Sequence, residues 1–185
     1  MLTQTEICNL AIAMVGGKQI LTVDDDIEEA RLCKKFYPLV RDRLLRSHPW
    51  NFAIKRVQLA ELATVPLFGW DHQFQLPADC LRVLQLDENT DQYKVEGRVV
   101  VTNSSTVKAL IVFKQTDESK WDANFVDVMA TAVAVELAYP ITQARETKAD
   151  LQNELQMKIR EARSFDAQEG VLDQVDASQW LNARF

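Results

Sequence analysis

The chain has 185 residues, 47% of them apolar and 26% charged, the composition of a soluble globular protein long enough to close a real core. Its 27 acidic residues against 21 basic ones leave a formal charge of −6, a balance that speaks against tight nucleic-acid binding. No apolar run approaches the roughly 20 residues of a membrane span, and the start MLTQTEICNL lacks the basic residues of a secretory signal. A reducing cytoplasm is therefore expected, with Cys8, Cys33 and Cys80 as free thiols.

Thr3 and Glu6 have the spacing of a capping box, and Ile7, Leu10, Ala11 and Met14 follow as one apolar face. Gly16-Gly17 is expected to end this first helix. A short connector leads to Asp24–Asp26, which offer N-cap oxygens to a second helix with Glu28 and Glu29 in its first turn and Arg41, Arg43 and Arg46 near its end. Ile27, Ala30, Phe36 or Tyr37, Val40 and Leu44 form its apolar face, and Pro38 should kink it. The chain leaves through His48-Pro49-Trp50-Asn51-Phe52, where two rings can cover the helix end.

Residues 51–59 read as a strand. Pro66, Gly69 and Pro77 then punctuate a loop carrying Phe68, Trp70, His72 and Phe74; so many rings imply packing on the core or cover by another chain. Residues 80–86, 92–95, 98–102 and 107–114 read as four short strands, with Glu96-Gly97 as a two-residue hairpin, giving an antiparallel meander. Asp122 caps a third helix holding Phe125, Met129, Ala132, Val133 and Leu137 and closed by Tyr139-Pro140; its alanines allow close helix approach. Thr142 caps a fourth, with Ala144, Leu151, Leu155, Ala162 and Phe165 as a narrow stripe, a Glu154–Lys158 pair, and Gly170 as its stop. The segment 171–185 has too few apolar residues to fold by itself, yet Val171, Leu172, Trp180, Leu181 and Phe185 are anchors for docking.

The expected fold is thus α+β: an antiparallel helical bundle of about four helices, two N-terminal and two C-terminal, with an inserted β-meander and an extended C-terminal arm. Residues 1–50 and 115–170 make the bundle, 51–114 the β-rich insertion and 171–185 the arm.

Chemistry-bearing patterns are sparse. Gly16-Gly17-Lys18 lacks the residues of a phosphate loop. His48, His72, Asp71 and Cys80 show no metal-ligand spacing, and no cofactor, metal or catalytic group is assigned. Cys8 and Cys33 lie on apolar helix faces, which leaves Cys80 as the best thiol nucleophile, with His72 or His48 as base. Arg41, Arg43, Arg46, Lys55 and Arg56 suit either a phosphate backbone or a solvated helix end that satisfies carbonyls and acids. Glu136, among Val133, Val135, Leu137 and Ala138, either faces solvent or is a buried carboxylate needing an arginine such as Arg41. Tyr37, Trp50 and Phe52 are core candidates beside that pair.

The order Ile7-Cys8-Asn9-Leu10-Ala11 with Gly16, then Glu28-Glu29-Ala30, Tyr37, Arg41-Asp42, Trp50-Asn51-Phe52, the run from Phe74 to Val83 (FQLPADCLRV), and Ala134 to Pro140 resembles phage head-to-tail adaptors of the tail tubular protein A type. The resemblance implies a non-enzymatic virion component of the tail, assembled in the host cytoplasm. It implies a homo-oligomeric ring, dodecameric by analogy, between the portal protein and the tail nozzle (tail tubular protein B type), with genomic DNA passing through the lumen unbound and no membrane involved. Trp180, Leu181, Phe185, Val171 and Leu172 would then meet portal or a neighbouring subunit, and Phe68, Trp70 and Phe74 the tail or a subunit. Two other classes stay open: a small cytoplasmic thiol hydrolase built on Cys80, and a non-viral DNA-binding module built on Arg41 to Arg56.

Overall fold

The computed structural model describes residues 2–87 and 92–169, a mixed α+β protein with four helices and two antiparallel sheets. Helix α1 (Gln4–Met14) begins on the complete capping box: the Thr3 hydroxyl accepts from Glu6 N–H and the Glu6 carboxylate takes the Thr3 N–H at 2.6 Å. It ends where Gly16, at φ +71°, donates to Ala13 while Gly17 donates to Ile12. Only glycine takes that left-handed geometry without steric cost. The buried face is Ile7, Cys8, Ala11 and Ile12. Leu10, expected inside, is 43% exposed, because the inward stripe runs one position round the helix from the expected one. The Asn9 amide clamps the following connector, with both Nδ2 to Ile20 O and Ile20 N to Oδ1 at 2.9 Å.

Helix α2 (Glu28–Ser47) has Ile27 at its N-cap with no side-chain cap. The expected capping by Asp24–Asp26 is therefore corrected: Asp25 closes the preceding turn through Leu21 and Thr22 N–H, Asp24 pairs with Lys34 and Asp26 with Arg31. Ile27 is partly exposed, and Ala30, Cys33, Tyr37, Val40, Leu44 and Leu45 face inward. Pro38 sits within the helix, which continues to Ser47; its missing N–H leaves the Lys34 carbonyl without the usual donor. His48 is extended ahead of Pro49, and Trp50 drops into the core, 1% exposed, its Nε1 donating to Leu44 O at 3.1 Å.

A single 3-10 turn, Asn51–Ala53, precedes strand β1 (Ile54–Gln58), so the strand begins later than expected. Strands β2 (Ala60–Glu61), β3 (His72–Gln75), β4 (Cys80–Leu86), β5 (Tyr93–Glu96), β6 (Val99–Thr102) and β7 (Lys108–Phe113) follow. They do not form one meander. One antiparallel sheet has the order β1-β7-β4 and a second the order β2-β3-β6-β5. The hairpin loop between β5 and β6 is Gly97-Arg98, one residue later than expected, since Glu96 pairs with Val99 and Gly97 takes φ +59°.

The sheet β1-β7-β4 is the middle layer. Alternation along β7, together with two register shifts in β4, sends Val112, Leu81 and Leu84 toward the helices and Ala109, Ile111, Val83 and Leu86 toward the second sheet, where Phe74 and Val100 meet them.

Helix α3 (Ala123–Thr142) starts on Asp122, whose carboxylate accepts from Asn124 N–H. It does not stop at Tyr139-Pro140. It runs through Pro140 to Gln143, which takes φ +54° and donates to Tyr139 O. Helix α4 (Arg145–Gln168) has Ala144 at its N-cap; Thr142 acts two residues earlier, its hydroxyl donating to Ala138 O and accepting from Ala144 N–H. Helix α3 packs against α1, α2 and α4, so its alanines are consumed inside the subunit. This also corrects the reading on apolar runs. Its 20 residues are long and apolar enough for a span by length and composition, and 67% of that stretch is buried among its neighbours. Of the α4 stripe, Leu151 and Ala162 are buried and Leu155 half-buried, while Phe165 is 48% exposed. Lys158 pairs with Glu154 at 2.8 Å and ties α4 to α3 through Asp127 and Thr131.

Candidate interaction surfaces

The segment 62–71 joins β2 to β3 and is fixed at its base. Leu62 N–H bonds Gln73 O, the Gln73 amide reaches Thr64 O at 2.6 Å, and Asp71 N–H bonds the Asn103 side chain at 3.1 Å. Gly69, at φ +85°, turns the chain back. What this base holds out is apolar: Val65 is 66% exposed, Leu67 99% and Phe68 87%. An isolated exposed leucine needs no explanation, but a contiguous apolar tip on an anchored loop is the usual mark of a surface meant to be covered. Trp70 lies half-buried behind the tip.

Phe74 does not belong to this surface. It was expected at an interface, yet it is 2% exposed and fills the core between the sheets. It lies on β3, where His72-Gln73-Phe74-Gln75-Leu76 alternates with a period of two. That alternation was the signal for a strand, and the ring count around it hid the pattern.

A second surface is a crevice of about 630 Å³ between the last turns of α2 and the start of β4, lined by Asp42, Arg43, Arg46, Ser47, Cys80, Leu81 and Arg98. It adjoins another hollow floored by Leu76, Leu81, Val83 and Val95, which Arg46, Arg82 and Arg98 also border. Arg46 donates to Leu81 O, Arg98 to Pro77 O and Cys80 O, and Arg43 to Glu136 Oε1 at 2.9 Å. The carboxylate of Asp42, the crevice's acid, is held by Arg41 and Lys114 at 2.9 and 2.6 Å. The Arg82 side chain has no hydrogen-bond or ion-pair partner among the described residues. Sequence reasoning missed Arg82 and Arg98 because only the sheet topology brings them to the end of α2.

The basic cluster expected along 41–56 is divided rather than gathered. Arg41 is buried against Asp42, Arg43 leaves for Glu136, and Lys55 pairs with Asp79 and sits over the Phe113 ring at 4.8 Å. Glu136 is half-buried and its partner is Arg43, not Arg41: each helical residue turns about 100°, so Arg43 points about 200° away from Arg41 and reaches α3.

The thiols and histidines are likewise kept apart. His48 Nε2 lies 2.9 Å from Asp166 on α4, and His72 Nδ1 lies 2.6 Å from Glu61 on β2. Cys80 is 5% exposed, and burial pushes its thiol above the usual range, away from the thiolate a nucleophile needs. Cys8 and Cys33 meet across α1 and α2 with both side chains fully buried; a mutual hydrogen bond and burial raise the Cys8 thiol. Among the described residues no three His, Cys, Asp or Glu side chains gather as a metal site. The arm residues Val171, Leu172, Trp180, Leu181 and Phe185, and Gly170, lie outside the described residues. No known protein family matches the chain, and no curated protein matches it.

Proposed function

We propose that this chain is a phage virion structural protein of the tail tubular protein A type, a head-to-tail adaptor that assembles as a ring, of twelve copies by analogy, between portal and tail nozzle with DNA passing through its lumen. In this reading residues 1–50 and 115–170 form an antiparallel helical bundle that packs side by side around the ring, residues 51–114 are the β-rich insertion, and 171–185 reach portal or the next subunit. The work of such a protein is recognition, not chemistry. An acidic balance suits a lumen, since a wall that repels phosphate forms few ion pairs with passing DNA.

One observation carries the reading: the anchored loop that presents Leu67 and Phe68 almost wholly to solvent, a surface that is awkward on a monomer and natural beneath a neighbour. The test is electron microscopy of the protein mixed with portal, alongside Phe68→Asp. Closed rings on portal are expected from the native chain. The variant should lose ring formation while its melting temperature stays within about 1 °C, because an exposed side chain costs little to replace. Particles that stay single beside portal would defeat the reading.

A further inference from the structure

We propose that the proximal part of the C-terminal arm, Val171-Leu172-Asp173-Gln174-Val175-Asp176, docks into the arginine-lined crevice of its own chain before assembly. Two observations converge on this occupant. The first is where the described chain ends. Asp166, in the last turn of α4, accepts from Asn51 N–H at 2.9 Å and sits 2.9 Å from His48 Nε2. Asn51 Nδ2 in turn donates to Asp166 O at 2.7 Å. Helix α4 is thereby pinned beside the end of α2, and Ser47, the residue next to His48, already lines the crevice. An extended chain covers about 3.3 Å per residue, so six residues span roughly 20 Å. The crevice is therefore within reach of the segment that follows Glu169.

The second observation is complementarity. Arg43, Arg46, Arg82 and Arg98 border the two hollows, and the crevice's acid, Asp42, is already occupied by Arg41 and Lys114. The floor offers Leu76, Leu81, Val83 and Val95. The segment supplies what this surface lacks: two carboxylates, Asp173 and Asp176, interleaved with Val171, Leu172 and Val175. Arg82, whose side chain has no hydrogen-bond or ion-pair partner among the described residues, is the natural donor to one of them, in the bidentate form that arginine gives to carboxylates. A space of about 630 Å³ takes a few side chains rather than a folded domain. In the intact chain the docking is intramolecular and needs no partner concentration, so even a weak contact is populated. It would keep the proximal arm off other surfaces until portal or a neighbouring subunit offers a better one.

Amide hydrogen exchange on the isolated full-length chain tests this, with no ring or portal present, so the outcome is independent of the adaptor reading. In the native chain the amides of 171–176 should exchange at least ~10-fold more slowly than an unstructured peptide of the same sequence. The slowing should be constant over a hundredfold dilution. Arg82→Glu, which breaks no side-chain hydrogen bond or ion pair among the described residues, should remove it, as should Asp173→Lys with Asp176→Lys. Pairing Arg82→Glu with Asp173→Lys alone, or with Asp176→Lys alone, should recover part of it in one of the two combinations, because there one ion pair's charges are exchanged rather than lost. Exchange at the unstructured rate in the native chain overturns the proposal, as does slowing that survives both reversals, no recovery in either combination, or protection that grows with concentration and so belongs to a second copy.

Discussion

Around Trp50 the helical half gathers a set of rings, with Phe125 edge-on at 5.0 Å, Phe52 stacked at 6.2 Å and Trp121 edge-on to Phe125 at 5.1 Å. Between the two sheets Phe74 is the buried ring, surrounded by Leu59, Leu76, Val100, Val107 and Ile111, with Phe113 at the margin. The helical core is closed by bulky, interlocking side chains. The β core is closed by pairing between distant segments, and it leaves strand β5 exposed along its length and the 62–71 tip in solvent. The rings of the first region pack on one another, and the most exposed contiguous apolar tip, Leu67 and Phe68, belongs to the second.

The sharpest test of that contrast is to remove one ring from each core. Trp50→Ala should cost about 3–5 kcal/mol, near the whole stability of many domains, and Phe74→Ala about 3 kcal/mol, where aliphatic neighbours can relax into the space. Because β1-β7-β4 contributes to both cores, each loss should shift one shared unfolding transition, followed by circular dichroism in denaturant. Two separated transitions would break the comparison and make the halves independent units.

Alkaline pH probes the helical core through Tyr37. Burial, with Glu118 beside it, holds the Tyr37 hydroxyl above its ordinary value of 10.0. A folded-state pKa above the unfolded one gives stability that is complete below about pH 10 and is lost as pH rises past it. Melting temperature should therefore fall between about pH 9 and about pH 11, and Tyr37→Phe should blunt the fall. The smallest effect expected is at the first helix. Thr3→Ala removes one side of the capping box and should cost about 1 kcal/mol, read by the same denaturation. Glu6, whose carboxylate the Thr3 N–H and hydroxyl hold below the usual range, should lose its share as pH drops through that range and below it.

What the sequence made legible was local. Thr3 with Glu6, Gly16, and Asp122 act on groups a few residues away, and each sits in the structure where its chemistry placed it. Strands 80–86, 99–102 and 108–113 were readable from alternation. Their partners were not, since an antiparallel ladder leaves no trace in either strand of which other strand it joins. The failures have the same cause. Asp24–Asp26 had the right residue type for a cap but found Thr22, Lys34 and Arg31 first. Pro140 suggested a stop, yet the neighbouring helices carry α3 two residues further. On the interaction surface, apolar content placed Phe68 and Phe74 together, and only register separates a ring at 87% exposure from one at 2%.

Strand β7 is flanked by β1 and β4 at its edges and covered by helices on one face and the second sheet on the other. At Ile111 and Val112, both wholly buried, there is no direction in which to accommodate an added methyl group or a new charge. Genetic drift in this lineage should therefore be filtered hardest at Ile111 and Val112 and most freely tolerated along β5, so that the protein can change what it touches without renegotiating how it folds.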